Sequence, residues 1–238
     1  MNHQDEFINT FKHTAIGKSR TQIFDDFLSI SVASLDRDEE TFSQIVANYE
    51  PKTVHAFGEM FGELAAALND CIAQHILVDH ALNLELKIPT DSSHKPRYRD
   101  VLGEIFHRLE FNDRDGGQVF TPQSAADIMG ATTLSEEFAR QAIKTYGFVL
   151  IEERCCGSGA LIFGALNALL EFGINPCRFA RVFASDVDER CLKMCFLQLA
   201  LYGIPATVQK KDAVTDQVLG KSFITPILKH GRLRNENH

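Results

Sequence analysis

Two periodicities divide the chain. Over its first hundred or so residues, apolar side chains recur every three or four positions. Ile23, Phe24, Phe27, Leu28 and Ile30 share one stripe, and Val54, Phe57, Met60, Phe61 and Leu64 form another. That spacing matches the 3.6-residue helical turn and predicts amphipathic helices with little strand signal among them. The polar, proline-bounded stretch 89–97 predicts a loop. Val101, Leu102, Ile105, Phe106 and Leu109 predict the next helix, which the polar run 112–117 should end.

After residue 146 the pattern changes. Residues 147–151 are a short continuous apolar run of the kind found in a buried parallel strand. Gly157, Ser158 and Gly159 follow, then a stripe of Leu161, Ile162, Leu166, Leu169 and Leu170 that stops near Gly173. Residues 181–185 predict a second strand, Leu192, Phe196 and Leu199 the inner face of a helix ending at Gly203 and Pro205, and residues 206–209 a third strand. Strands alternating with helices predict an α/β fold, with a mainly parallel sheet and right-handed crossovers over 116–238, behind a helical region over 1–115.

The formal net charge of −8 argues against a protein that coats nucleic acid by electrostatics alone. The balance is uneven, however. Residues 1–115 hold 11 Lys and Arg against 20 Asp and Glu, or −9, and residues 116–238 hold 13 against 12, or +1. The second half can face a phosphate backbone far more readily than the first. No apolar run is long enough to cross a bilayer, and the start of the chain lacks a basic segment followed by an apolar one, so a cytoplasmic, membrane-free protein is expected. Six cysteines occur without a secreted disulfide spacing. No Cys-x-x-Cys or His-x-x-x-His knuckle is present, and adjacent Cys155 and Cys156 direct their side chains apart, so no metal is expected.

In an open parallel sheet, ligands bind beyond the carboxyl ends of the strands, and three candidate contacts fall there. Around Gly157 and Gly159 the backbone can turn tightly and let a bulky ligand approach a helix N-terminus. Asp186 ends the next strand, at a distance along the chain suited to a ribose diol. Asp212 follows the third strand and can accept from an exocyclic amino group. Each also has a plain reading: an ordinary turn for the glycines, a helix cap for Asp186 or Asp188, a solvated turn residue for Asp212. A nicotinamide dinucleotide fits less well, because the glycine spacing puts Ile162 where a small residue is needed.

Several segments together resemble the N6-adenine DNA methyltransferases, which include the methylation subunits of type I restriction-modification systems. Gly117-Gln118-Val119-Phe120-Thr121-Pro122 resembles the family's Phe-Thr-Pro motif, and Asp100-Val101-Leu102-Gly103-Glu104-Ile105-Phe106 the helix before it. Glu153-Arg154-Cys155-Cys156-Gly157-Ser158-Gly159 resembles the glycine motif, with Glu153 and Arg154 in its Asp and Pro positions. Ala184-Ser185-Asp186-Val187-Asp188 and Lys211-Asp212-Ala213-Val214 resemble the two motifs that follow. Cys155-Cys156-Gly157 and residues 194–199 look closest to a short phage and plasmid group. The likeness covers roughly residues 98–225.

The resemblance implies a Rossmann-like S-adenosylmethionine-dependent methyltransferase domain acting on adenine in DNA. By it, Phe120, Thr121 and Pro122 would meet the methionine part of S-adenosylmethionine and Glu153 its ammonium. Cys156, Gly157, Ser158 and Gly159 would form the cofactor turn, Asp186 would bind the ribose hydroxyls, Val187 would lie on the adenine face, and Asp212 would accept from the adenine amino group. The family's (Asn/Asp)-Pro-Pro-(Tyr/Phe) tetrapeptide is missing, because all seven prolines are isolated, and no catalytic residue is assigned. Phe223-Ile224-Thr225-Pro226 stands roughly where a fourth strand and its exit would be, yet Thr225 is neutral and no aromatic follows Pro226. The alternative is a catalytically inactive relic that binds cofactor or DNA beside a restriction-modification system. A sheet ending this early should have its edge covered by the N-terminal helices, a second copy or a partner subunit.

Overall fold

The computed structural model describes residues 2–82, 97–111 and 120–235, with side chains over 2–72, 97–111 and 120–230. Residues 117–119 of the Phe-Thr-Pro segment, the polar run 112–117 and all of the 89–97 stretch except Arg97 lie outside the described residues. The N-terminal half is helical, as its periodicity predicts: α1 (His3–Thr14), α2 (Arg20–Asp36), α3 (Glu39–Val46), α4 (Pro51–Leu82) and α5 (Val101–Arg108). Polar side chains start most of them. Asn2, Ser19, Asp38 and Asp100 each accept an N–H from the first turn of the helix that follows. The stripes fill a core rich in aromatic rings, where Phe24 packs on Phe27, Phe106 and Phe111.

The second half is α/β. Helices α6 (Gln123–Thr133) and α7 (Glu136–Tyr146) lead into β1 (Val149–Glu153), followed by α8 (Ala160–Glu171), the short α9 (Pro176–Phe179), β2 (Ala180–Asp186), α10 (Glu189–Leu201) and β3 (Ala206–Lys211). Strand β4 (Val218–Ile224) and α11 (Pro226–Asn235) complete the described chain. The sheet order is β1-β2-β3-β4, parallel over the first three strands, with β4 antiparallel to β3.

One feature adds to the sequence expectation of a mainly parallel sheet, and one differs from it. The fourth strand returns antiparallel, because the few residues of the Asp212 turn can close a hairpin but not a parallel crossover, which needs a dozen or more. Its C-terminal exit therefore lies at the opposite end of the sheet from the β1 and β2 tips. There Thr225 is buried, donating to the Ile204 carbonyl and accepting from the Ala206 N–H, both at 2.9 Å. The difference concerns β1, read from its apolar run as a buried strand. Among the described residues no strand pairs with its outer edge, and Leu150 is 59% exposed.

One hydrophobic cluster runs from Phe7 to Val208 and joins the two halves. Helix α2 packs on α10, and Arg190 grips Asp25 through two hydrogen bonds of 2.6 and 3.0 Å. No described helix is long and apolar enough to cross a membrane.

Candidate functional site

The site is built at the carboxyl ends of β1 and β2. Beyond β1 the chain turns through Cys156, Gly157 and Gly159 into α8. Gly157 and Gly159 have φ of +52° and +114°, a region that side chains with a Cβ rarely occupy. The turn is fastened to the neighbouring strand at two points. The Cys156 N–H donates to the Ser185 carbonyl and the Gly157 N–H to Asp186 Oδ2, both at 2.9 Å. The other oxygen of Asp186 accepts the Asp188 N–H at 3.0 Å. Asp188, in turn, caps α10 by accepting from Arg190 and Cys191. Asp186 thus joins the two strand tips, and the capping role falls to Asp188.

The Phe120 ring closes over the turn from outside the sheet. It packs edge-on against Phe106 at 5.3 Å and His107 at 5.7 Å, and a Cβ placed on Gly157 would lie 3.3 Å from it. Thr121 is partly exposed, and the exposed Pro122 holds the cap position of α6. Of the three residues, Phe120 alone touches the glycine turn in the described contacts. The half-exposed Val187 extends from the tip of β2.

Ser158 differs from its neighbours. It is 1% exposed, and its hydroxyl donates a short hydrogen bond to Oδ2 of the buried Asp100. Gln198 Nε2 donates to Asp100 Oδ1 at 2.9 Å and to the Ser158 carbonyl at 3.0 Å, while its Oε1 accepts the Leu102 N–H at 3.0 Å. This network ties the glycine turn to α5 and α10, so the Ser158 side chain braces the turn from beneath. Asp100 and Gln198 were absent from the candidate residues. The signals were an Asp three residues before Gly103 at a helix start, and a single amide, Gln198, within the apolar run 194–199.

Electrostatically the site is acidic. Glu153 ends β1 and accepts the Cys155 N–H at 3.0 Å. Asp212, beyond β3, holds its own turn through the Val214 and Thr215 N–H groups at 2.8 and 3.0 Å, which keep its carboxyl below the ordinary value. Desolvation, together with the negative charges of Asp186, Glu153 and Asp212, pushes the Cys155 thiol up. Cys156 is driven up further, by contact with Cys195 and by burial. Both cysteines therefore stay neutral thiols near pH 7, which unsuits them as nucleophiles. Among the described residues no group of three or more His, Cys, Asp or Glu could hold a metal ion.

No family model matches the chain, and no curated protein matches it. Among solved structures it is similar to the methyltransferase subunit of a type I restriction-modification system from Streptococcus thermophilus. That likeness has 14% identity and a TM-score of 0.35, and it covers 91% of this chain and 58% of that one. The chain thus spans less than two thirds of that subunit's length.

Proposed function

We propose that the tips of β1 and β2, closed over by Phe120, bind S-adenosylmethionine in a Rossmann-like methyltransferase fold, and that the chain serves methylation of adenine in DNA. The observation that carries this reading is the hydrogen bond from Gly157 to Asp186. It brings the glycine turn and the Asp186 carboxylate together at the carboxyl ends of two parallel strands, under an aromatic ring. The sign of the local field supports the choice of ligand. Glu153, Asp186 and Asp212 surround the turn, and a cofactor with a sulfonium and an ammonium gains from them, whereas the pyrophosphate of a dinucleotide is repelled. In this reading Glu153 meets the ammonium, Asp186 the ribose, Val187 and Asp212 the adenine, and Phe120, Thr121 and Pro122 the methionine part. Gly159 caps α8 without a side-chain bond, which leaves first-turn amides for the cofactor carboxylate.

A second reading, a relic that binds cofactor or DNA without methyl transfer, is favoured by the burial of Thr225 at the far end of the sheet. Thr225 is taken up there by backbone partners and offers no acceptor at the tips of β1 and β2. Calorimetric titration with S-adenosylmethionine and with NAD tests the shared part of both readings, and saturable binding of the first alone is expected. Asp186→Ala should weaken that binding by about 1.5 to 3 kcal/mol, or roughly 10- to 150-fold. Equal affinity of wild type and variant would remove Asp186 from the site. Transfer of labelled methyl to unmethylated DNA then separates enzyme from relic.

A further inference from the structure

The right-handed connections β1-α8-β2 and β2-α10-β3 both step the same way across the sheet, so α8 and α10 lie on one face. The strands supply Val149, Val182, Ala184, Ala206 and Val208 to the core from that face. The other face bears Leu150, Glu152, Arg181, Phe183, Thr207 and Ile224. Leu150, Phe183 and Ile224 take no part in the hydrophobic core. Parallel sheets are ordinarily covered on both faces, whereas among the described residues Leu150 is left 59% exposed on this side.

We propose that this open face is the contact between two copies of the chain, related by a two-fold axis. The argument is the arrangement of four residues. Leu150 lies beside Arg181, and Glu152 beside Phe183, in the β1/β2 register. One diagonal of this quadrilateral is apolar, Leu150 to Phe183, and the other joins opposite charges, Arg181 to Glu152. A two-fold axis along the apolar diagonal sets Leu150 on its copy and Phe183 on its copy, and brings each Arg181 towards Glu152 of the other chain. With strands about 4.8 Å apart and alternate residues about 6.6 Å apart, the charged corners miss superposition by roughly 2.5 Å, well within the reach of these side chains. The paired sheets then cross at roughly 70°, nearer the orthogonal class of sheet packing than the aligned one.

Arg181 fits the part. Its guanidinium donates to the carbonyls of Arg178 and Ala180 and lies over the Phe148 ring at 5.6 Å, and no described carboxylate bonds to it. Desolvation alone lowers its pKa, so the charge is partly withdrawn from water without a counter-ion. Among the described residues Glu152 pairs with Arg154 at 3.0 Å, and with its side chain 44% exposed it is open to a second cation. Four strands, each presenting two or three residues to this face, span at most about 400 Å² of flat sheet, no more than half the contact of a standard interface per partner, so the dimer is a weak one.

Sedimentation velocity on the full chain, from about 1 to 200 μM, should show a monomer–dimer equilibrium in the micromolar range. Arg181→Glu and Glu152→Arg should each weaken it at least about tenfold, and the double reversal should return it to within about threefold of wild type. Leu150→Glu, at a position too exposed to disturb folding, should abolish the dimer while the circular dichroism spectrum stays that of the wild type. A wild-type monomer throughout this range, as expected if a different protein covers the face, overturns the proposal. So does a dimer indifferent to Leu150→Glu, or a double reversal no tighter than the singles.

Discussion

At the scale of single residues, the most consequential side chain lies beneath the glycine turn. Asp100 is 4% exposed, and its carboxylate is held by the Gly103 N–H, the Gln198 amide and the Ser158 hydroxyl rather than by a cation. Burial outweighs those three hydrogen bonds and raises its pKa above the ordinary carboxylate value of 3.8. Between that value and the raised one, the folded chain keeps a proton the unfolded chain has released. The Asp100 contribution to stability is therefore full below the unfolded value and is lost as pH rises through the folded one. Asp100→Asn removes the titration and keeps the geometry: its amide oxygen accepts from Gly103 and Gln198, and its NH2 donates to Ser158. Urea unfolding at pH 4 and pH 7 should show the variant gaining on the wild type as pH rises. A constant difference between the two proteins across that range would mean that Asp100 is ionised throughout.

At the scale of elements, the closure of the site depends on how α6 meets α8, because α6 starts directly after the Phe120 turn and α8 directly after the glycine turn. The two helices cross backbone to backbone. A Cβ on Gly164 would lie 2.0 Å from the Ala126 carbonyl oxygen, and one on Gly130 would lie 2.2 Å from that of Gly164. Main chain cannot yield as a side chain can, so Gly164→Ala should cost about 3 kcal/mol or more in a thermal or urea melt. Gly58→Ala in α4, where the new methyl meets nothing within 4 Å, should instead gain about 0.5 to 1 kcal/mol. A neutral Gly164→Ala would show that the helices do not touch. This crossing was not legible in the sequence, where residues 123–146 carry short helices with few apolar positions and no strong stripe. What could be read was what burial writes into the residue pattern: the stripes of α2, α4 and α5, the three parallel strands, and the turn at Gly157 and Gly159. That no described strand pairs with the outer edge of β1 escaped, because an apolar run tells that a strand is sticky and not which of its neighbours is present. The hairpin at β4 escaped because its direction is set by the length of the Asp212 turn rather than by the residues of the strand. In the site, Asp186 was legible through its place after β2. The role of Ser158 was hidden in a hydrogen bond to a residue 58 positions away.

At the scale of the whole molecule, the division between helical and α/β halves in sequence is not a division of the core. Phe106 of α5 packs on both Phe24 of α2 and the site ring Phe120, and the Arg190 guanidinium of α10 lies 5.9 Å above the Phe106 ring while binding Asp25 of α2. Such shared contacts couple the halves, since unfolding either one exposes apolar surface on the other. The chain is therefore expected to melt in a single transition. The far-UV circular dichroism of the helices and the near-UV signal of Tyr98 and Tyr202, whose rings meet edge to face 5.0 Å apart, should change together. Asp25→Ala removes one side of a partly buried bidentate pair, with side-chain exposures of 16% for Arg190 and 36% for Asp25, and should destabilise the protein by about 1 to 3 kcal/mol. Because the pair bridges the two halves, the whole transition should move to lower temperature without splitting. Two separate melting steps, in the wild type or in Asp25→Ala, would instead mean that the N-terminal helices and the α/β half fold independently and that the sheet does not need them.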